Sequence, residues 1–305
     1  MFELIKTGTK IDFIGKSKIY FTVSIILCII GLALIFGKGF NYGVDFSGGT
    51  SVQVTFERAV NIDKMRTTLS QDIGASVSIQ TLGTDSSFRI KVDQGAGGED
   101  LKKISDTISN SLETKFSEGG KAVIDSVEQV GPQVGKDLKR QALLAVLYAV
   151  IGILIYVAIR FELMSATSSV IALIHDIILT LGVIIAVNIT FDLTVLAALL
   201  TVVGYSLNDK IVIFDRIRER ARMDEHKTLM ESMNISINET LSRTILTSTS
   251  TLLAVISLAV FGGEVIKGFA IVMIAGIIIG TYSSIGIASS LVYNIKMLKS
   301  KKTVK

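Results

Sequence analysis

At 305 residues, with 49% hydrophobic side chains, 19% charged and a mean hydropathy of +0.57, the chain is too apolar for an ordinary soluble domain. Its net charge of +4 sits in a few lysine and arginine clusters, without the interleaved aromatics or recognisable module of a nucleic-acid binder. The single cysteine, Cys28, excludes an internal disulfide and any cysteine-based metal cluster, and reads as a small apolar packing residue.

Runs of about 20 apolar residues are long enough to cross the hydrocarbon core of a bilayer. Six occur: Lys18–Gly37, Ala142–Ile159, Ala166–Asn188, Leu193–Phe214, Ile245–Gly262 and Phe269–Ile295. Lys6, Lys10, Lys16 and Lys18 precede the first apolar stretch, the last three as in a signal peptide, but "IYFTVSIILCIIGLALIF" exceeds the usual length and no A-x-A site follows. It reads as an uncleaved helix. Basic residues precede the first run, follow the fourth (Arg216, Arg218, Arg220, Arg222) and follow the sixth (Lys296, Lys299, Lys301, Lys302, Lys305). Six crossings place all three clusters on one side, the cytoplasmic one by the positive-inside rule, with both termini there.

The segments are therefore 1–37, 38–140 outside the membrane, 141–295 with a cytoplasmic amphipathic loop at 215–243, and a basic tail at 296–305. "NYGVDFSGGT" leads out of the first helix, with Gly48 and Gly49 supplying positive φ at the turn into a strand. Taken alone, Asp45 reads as a helix-end or turn carboxylate. "TSVQVTFE" alternates as a strand, "NIDKMRTTLSQDIG" is a helix opened by Asn61 and closed by Gly74, and "SVSIQTL" and "SFRIKV" form a hairpin around Gly83–Ser86. "EDLKKISDTISNSLETKF" has a helical apolar face at Leu101, Ile104, Ile108 and Leu112, and "KAVIDSVEQV" closes the unit. This β-α-β-β-α-β order predicts a ferredoxin-like α+β domain, a scaffold that does not by itself name a function. "VGPQVGKDL", around the only proline, predicts a fixed turn before the second helix. Ile217–Ser242, with Leu229, Met233 and Ile237, predicts amphipathic helices near the membrane surface.

Charges at bilayer depth cost about 2.5–3.5 kcal/mol each even on the lenient insertion scale, so they mark functional candidates. The third run holds His175 and Asp176 with Thr180 one turn on. These are either an ionisable site or an interhelical hydrogen bond clamping the bundle. There is no second histidine at depth for a metal, and His226 falls in the cytoplasmic loop. The fourth run holds Asn208, Asp209 and Lys210. Lys210 has a stem long enough to reach the cytoplasmic interface, whereas Asp209 is too short and needs a partner or a proton. In the fifth run Arg243, Thr247, Ser250 and Thr251 share a face, either as a hydrated hydroxyl path below a guanidinium or as hydroxyls bonded to their own backbone. A carboxyl whose proton affinity changes as Arg243 approaches and withdraws could drive a conformational cycle. Gly276, Gly280 and Ser284 form a small-x-x-x-small packing ladder.

"GVDFSGGT", "VGPQVG", "ALIHDIILTLG", "GYSLNDKIVIFDRIRE" and "SRTILTSTSTLLAV" followed by "FGG", in this order, resemble the SecF branch of the SecD/SecF protein-export family, within the RND transporter superfamily. The resemblance implies a half-transporter in the bacterial cytoplasmic membrane, paired with SecD and working with SecYEG, SecA and, as a further associate, YajC on unfolded preprotein at the outer face. It implies coupling to the proton-motive force, with H⁺ or else Na⁺ as the ion and no other cofactor. Asp209 would be the coupling carboxylate and Arg243 its basic partner, beside Asn208. Asp45, Gly48 and Gly49 would be the family signature, and His175 and Asp176 the third-helix motif with a lesser role. The alternatives are an efflux subunit of the same superfamily for lipids or small molecules, and an assembly factor that uses no ion. An enzyme is disfavoured, since neither a nucleophile–base pair nor a phosphate-binding loop is present.

Overall fold

The computed structural model of the chain describes residues 9–82, 84–92, 101–223 and 227–303. Gly83 at the expected hairpin tip, the start of the second domain helix at Glu99, His226, Lys6 and Lys305 lie outside them. The chain forms two compact units.

The first unit comprises Tyr42–Ala145 with Phe191–Leu193. Its elements are α2 (Val44–Ser47), β1 (Gly49–Phe56), α3 (Ile62–Ile73), β2 (Val77–Thr81), β3 (Ser87–Val92), α4 (Leu101–Lys115) and β4 (Ala122–Val130), after α1 (Ser17–Gly37) of the other unit. The sheet order is β2-β3-β1-β4 and every pairing is antiparallel, so each β-α-β unit straddles a strand of the other. Local chemistry sets these bounds. The Asn61 side chain accepts from the N–H groups of Asp63 and Lys64 at 3.0 Å, capping α3, and Gly74 ends it at φ 69°. Alternation in β3 turns Phe88, Ile90 and Val92 inward. They meet Met65, Leu69 and Ile73 of α3 and Ile108 and Leu112 of α4 in one core.

Gly48 and Gly49 take φ of 72° and 114°, turning the chain from α2 into β1. A Cβ on Gly135 would stand 3.4 Å from the Gly48 nitrogen, so the two glycine-bearing motifs flanking the sheet lie together. Pro132 does not sit in a separate turn. It opens α5 (Pro132–Arg160), ten residues before the predicted span, because proline's missing N–H is not needed in a first helical turn.

The second unit holds the described residues up to Asn41, Val146–Thr190 and the chain from Thr194 onward. It contains α1, the second half of α5, α6 (Leu163–Ala186), α7 (Leu193–Met223), α8 (Leu229–Phe261), α9 (Gly263–Tyr282), a π-helical turn (Ser283–Ala288) and α10 (Ser289–Thr303). Six helices are long and apolar enough to cross a membrane, the last running through the π-turn as Val265–Lys299. The apolar windows of α6 and α7 are 56% and 50% buried, against 11%, 6% and 17% for α1, α5 and α8, which makes α6 and α7 the centre.

The predicted surface helices over Ile217–Ser242 are not separate elements. α7 runs on to Met223 and α8 starts at Leu229, behind a capping box between Thr228 and Glu231. The apolar positions in these extensions pack on each other instead of on a surface: Ile213, Phe214 and Ile217 meet Met233, Ile237 and Leu241. Arg216 and Arg220 both bind Glu239 across the pair. The segment before α1 is held on the same extension. The Asn234 side chain accepts from the N–H groups of Phe13 and Ile14 at 2.9 and 3.0 Å, and Asn238 donates to the Ile11 carbonyl at 2.8 Å.

Helix approach depends on missing side chains. A Cβ on Gly182 of α6 would stand 3.0 Å from the Gly31 Cα of α1, and one on Gly276 of α9 would stand 2.2 Å from a Val202 methyl of α7. Gly182→Leu meets backbone that cannot rotate away, and overpacking of this kind costs about 1–3 kcal/mol. The expected outcome is a lower Tm of the purified chain in detergent, with Gly182→Ala intermediate. In the sheet unit, the Lys115 ammonium at 2.5 Å and then the Ser111 hydroxyl at 2.7 Å hold the Asp72 carboxyl below the usual carboxylate range. That stabilisation is present above the ordinary aspartate pKa of about 3.9 and is lost as acid protonates Asp72 below it. Asp72→Asn therefore lowers stability near neutral pH by at most about 1 kcal/mol, the ceiling for a half-exposed pair, and flattens the acid limb of a proteolysis-resistance profile.

Candidate functional site

The most deeply buried charges lie between α6 and α7. The Lys210 Nζ donates to Asp176 Oδ2 at 2.8 Å and to the oxygens of Ser206, one turn before it on α7. The Ser206 hydroxyl donates to the same Asp176 oxygen at 2.5 Å, and His175 Nδ1 donates to the other at 2.8 Å. Lys210 is 0% exposed and Asp176 1%. At such depth an ion pair persists only when its remaining hydrogen-bonding capacity is filled, and here the hydroxyl, the imidazole and a carbonyl fill it.

Lys210 therefore does not reach for the cytoplasmic interface. Side chains on an α-helix lean toward its N-terminus. In α7 that direction leads away from the arginine-rich end at Arg216–Arg222 and back over Ser206. Asp176, read together with His175 as a motif of lesser role, is the acceptor at the centre of the cluster. Ser206 was not singled out by sequence reasoning. An available signal was its place one turn before a membrane-depth lysine, where a hydroxyl shares that lysine's face.

The cluster is backed by the sixth spanning helix. The Cβ that Gly280 lacks would stand 3.0 Å from Ser206 Cβ, and the Ser284 hydroxyl donates to the Gly280 carbonyl at 2.8 Å. The predicted small-residue ladder thus seats α9 on α7. The His175 ring lies 6.5 Å from that of Tyr282, whose hydroxyl donates to the Tyr20 carbonyl of α1 at 3.1 Å. The π-turn follows directly, with Ser283, Ser284, Ser289 and Ser290 all buried in or beside it. Such turns are often found next to functional sites.

Asp209 is 2% exposed, and its Oδ2 has no hydrogen-bond partner among the described residues. The cations that act on it are Lys210 and Arg243. Asn208, the next residue, is exposed and lines a cleft of about 400 Å³ between α7 and α8 with Asp215, Arg216, Glu219, Thr240 and Arg243. Arg243 is exposed at this cleft, and no ion pair joins it to Asp209 among the described residues. Arg216, which shares a helix face with Asp209, is held by Glu219 and Glu239.

The predicted hydroxyl path takes its plainer form within this chain. Thr247 donates to the carbonyls of Arg243 and Thr244, and Ser250 and Thr251 both donate to that of Thr247, each at 2.9–3.0 Å. Thr247 and Ser250 are exposed and Thr251 is half-buried. These hydroxyls satisfy their own helix and form no chain toward Asp209. A different polar route lies on the buried side of α8, where Tyr205 reaches Ser248 at 3.4 Å and Ser248 lies 2.8 Å from the Thr281 hydroxyl.

Asp45 is remote from these groups in the chain and is bonded within the sheet unit. Its carboxylate accepts from the Leu193 N–H at 2.9 Å, the first residue of α7, while Gly43 donates to the Phe191 carbonyl at 2.9 Å. Tyr42, Phe46 and Phe191 stack around this contact with centroids 5.9–6.4 Å apart. A carboxylate at a helix N-terminus satisfies an orphan donor and is attracted to the positive end of the helix dipole. Asp45 is a cap, on a helix 148 residues away in the chain.

The sequence and the fold both match those of known proteins. The family described as "Protein export membrane protein SecD/SecF, C-terminal" matches residues 110–298, and the "SecD/SecF GG Motif" matches residues 33–60. A protein translocase subunit SecF from Calditerrivibrio nitroreducens is 50% identical over 301 residues, 98% of both chains. One from Pseudomonas aeruginosa is 43% identical over 93% of this chain and 91% of its own. The crystal structure of SecDF, a translocon-associated membrane protein from Thermus thermophilus, superposes with a TM-score of 0.83 at 35% identity, covering 96% of this chain. This chain spans 40% of that one. A multi-pass membrane protein with six apolar helices and a small antiparallel sheet unit, the chain belongs to the SecD/SecF family of protein-export membrane proteins.

Proposed function

We propose that the chain is the SecF half of a protein-export accessory in the cytoplasmic membrane of a bacterium. With a SecD partner it couples the proton-motive force to the late stage of preprotein translocation through SecYEG, after SecA has driven the substrate in, with YajC as a further associate. Near-complete alignment with curated SecF subunits, and the 40% share of the solved SecDF chain, support a half that needs a second one. The arginine-rich ends of α7 and the lysine-rich end of α10 support cytoplasmic termini by the positive-inside rule.

The observation that carries the coupling role is Asp209, a buried carboxyl with an unengaged oxygen beside a polar cleft. A carboxylate held by several donors keeps its charge through a cycle. One without them can take up and release an ion as its surroundings change. In this reading Arg243, at the same cleft, supplies the movable positive charge, and the ion is H⁺, with Na⁺ as the variant. The magnitudes are adequate. One charge moving through about 150–200 mV supplies about 3.5–4.6 kcal/mol, against about 5.5 kcal/mol to swing a two-state equilibrium from 1:99 to 99:1. One ion biases the switch strongly without forcing it alone.

Asp209→Asn tests the reading. The expected outcome is loss of the stimulation of preprotein export by a membrane potential, measured by pulse-chase in cells depleted of the native subunit, with co-purification of the SecD partner unchanged. Full stimulation in that variant would leave only an assembly role, and altered sensitivity to toxic compounds with normal secretion would favour efflux.

A further inference from the structure

A lysine stands next to the carboxyl that the coupling reading requires to be free, yet the two are kept apart. Lys210 follows Asp209 in α7, both are buried, and Lys210 is one of the two cations acting on Asp209. A buried ammonium takes the best carboxylate within reach, because an unpaired charge in a low-dielectric interior is expensive. Had Asp209 been that carboxylate, it would be locked in its charged form. The structure shows Lys210 fully engaged on its other side, with Asp176 Oδ2 at 2.8 Å and the two oxygens of Ser206. Asp176 is itself oriented by the Ser206 hydroxyl on one oxygen and His175 on the other. The Oδ2 of Asp209 is left without a partner among the described residues.

We infer that Asp176 is a positioning residue that parks the Lys210 ammonium on the α6 side, so that the neighbouring Asp209 carboxyl stays available for ion exchange. The inference rests on the coupling reading of Asp209. Asp176 touches no ion in this scheme and acts only through Lys210. Ser206 and His175 fix the Asp176 carboxylate so that it outcompetes Asp209 for the lysine. The arrangement is asymmetric. Removing Asp176 releases an ammonium that turns to the free oxygen of Asp209. Removing Lys210 leaves Asp176 still bonded to Ser206 and His175 and able to take a proton, and Asp209 Oδ2 still without a hydrogen-bonding partner among the described residues.

A set of variants separates this from an ordinary structural ion pair. Asp176→Asn, Lys210→Met and the double variant are each produced with the SecD partner. Export stimulation is measured beside co-purification, and labelling of Asp209 by dicyclohexylcarbodiimide, which reacts with protonated buried carboxyls, is located by mass spectrometry. The expected result is that Asp176→Asn assembles but loses both stimulation and Asp209 labelling, to the level of Asp209→Asn. Lys210→Met keeps both, and the double variant regains both. Equal loss in Lys210→Met and Asp176→Asn with the complex intact would overturn the inference, as would an active Asp176→Asn. If Asp176→Asn fails to assemble, Lys210→Met still decides, because a change in Asp209 labelling there means that the lysine does act as its partner in the native chain. An Asp209→Asn variant with full stimulation would remove the coupling reading, while the labelling comparison would still test where Lys210 is held.

Discussion

Charge neutralisation inside an apolar bundle is the constraint on which the rest of the helical unit depends. Lys210 and Asp176 carry opposite charges at 0% and 1% exposure, on the two helices that form the centre of the unit. Leaving either charge of such a pair buried without a counter-charge or a neutralising proton costs about 3–5 kcal/mol, a large fraction of the stability of a folded chain. The packing around the pair follows from the need to hold it. Glycine at 276 and 280 brings α9 against Val202 and Ser206, and Ser206 is the hydroxyl that completes the Asp176 shell. On the other side, Gly31 and Gly182 bring α1 against α6, and Tyr282 ties α9 to α1 beside His175.

This fixed pair sits one residue from a carboxyl that is not fixed, and the contrast gives the unit its proposed use. Asp176 has donors on both oxygens, while Asp209 has an oxygen with none among the described residues. Beyond Asp209, Asn208 and Arg243 line a cleft bounded by the charged extensions of α7 and α8. Those extensions are tied to each other. They share an apolar seam around Met233 and Ile237, carry the arginine–glutamate ties at Glu239 and hold the segment before α1 through Asn234 and Asn238.

Much of the fold was legible in the sequence because it is written in local periodicity. Apolar runs of membrane length marked the six helices, and two-residue alternation and three-to-four-residue steps marked the strands and helices of the sheet unit in their order. The glycine turn at Gly48 and Gly49, the Asn61 cap and the small-residue ladder were also visible, since each depends on the intrinsic geometry of one residue type. The helix ends were less visible. The extensions of α7 and α8 carry the same amphipathic pattern as a surface helix, and only their mutual packing distinguishes the two.

The site divides along the same line. Sequence alone determined that Asp176, Asp209 and Lys210 lie at membrane depth and must each be accommodated, because hydropathy and the cost of a buried charge are properties of single residues and short windows. It also placed Arg243 and the hydroxyls of Thr247, Ser250 and Thr251 on one face of a helix. Tertiary structure alone decided the partners. Lys210 went to Asp176, 34 residues away, instead of to water or to its neighbour, and Asp45 capped a helix 148 residues away. The physical reason is that a helix fixes which way a side chain leans, but not what stands opposite it. The opposing residue is set by which helices pack together and by their register, and neither is recorded in any one helix.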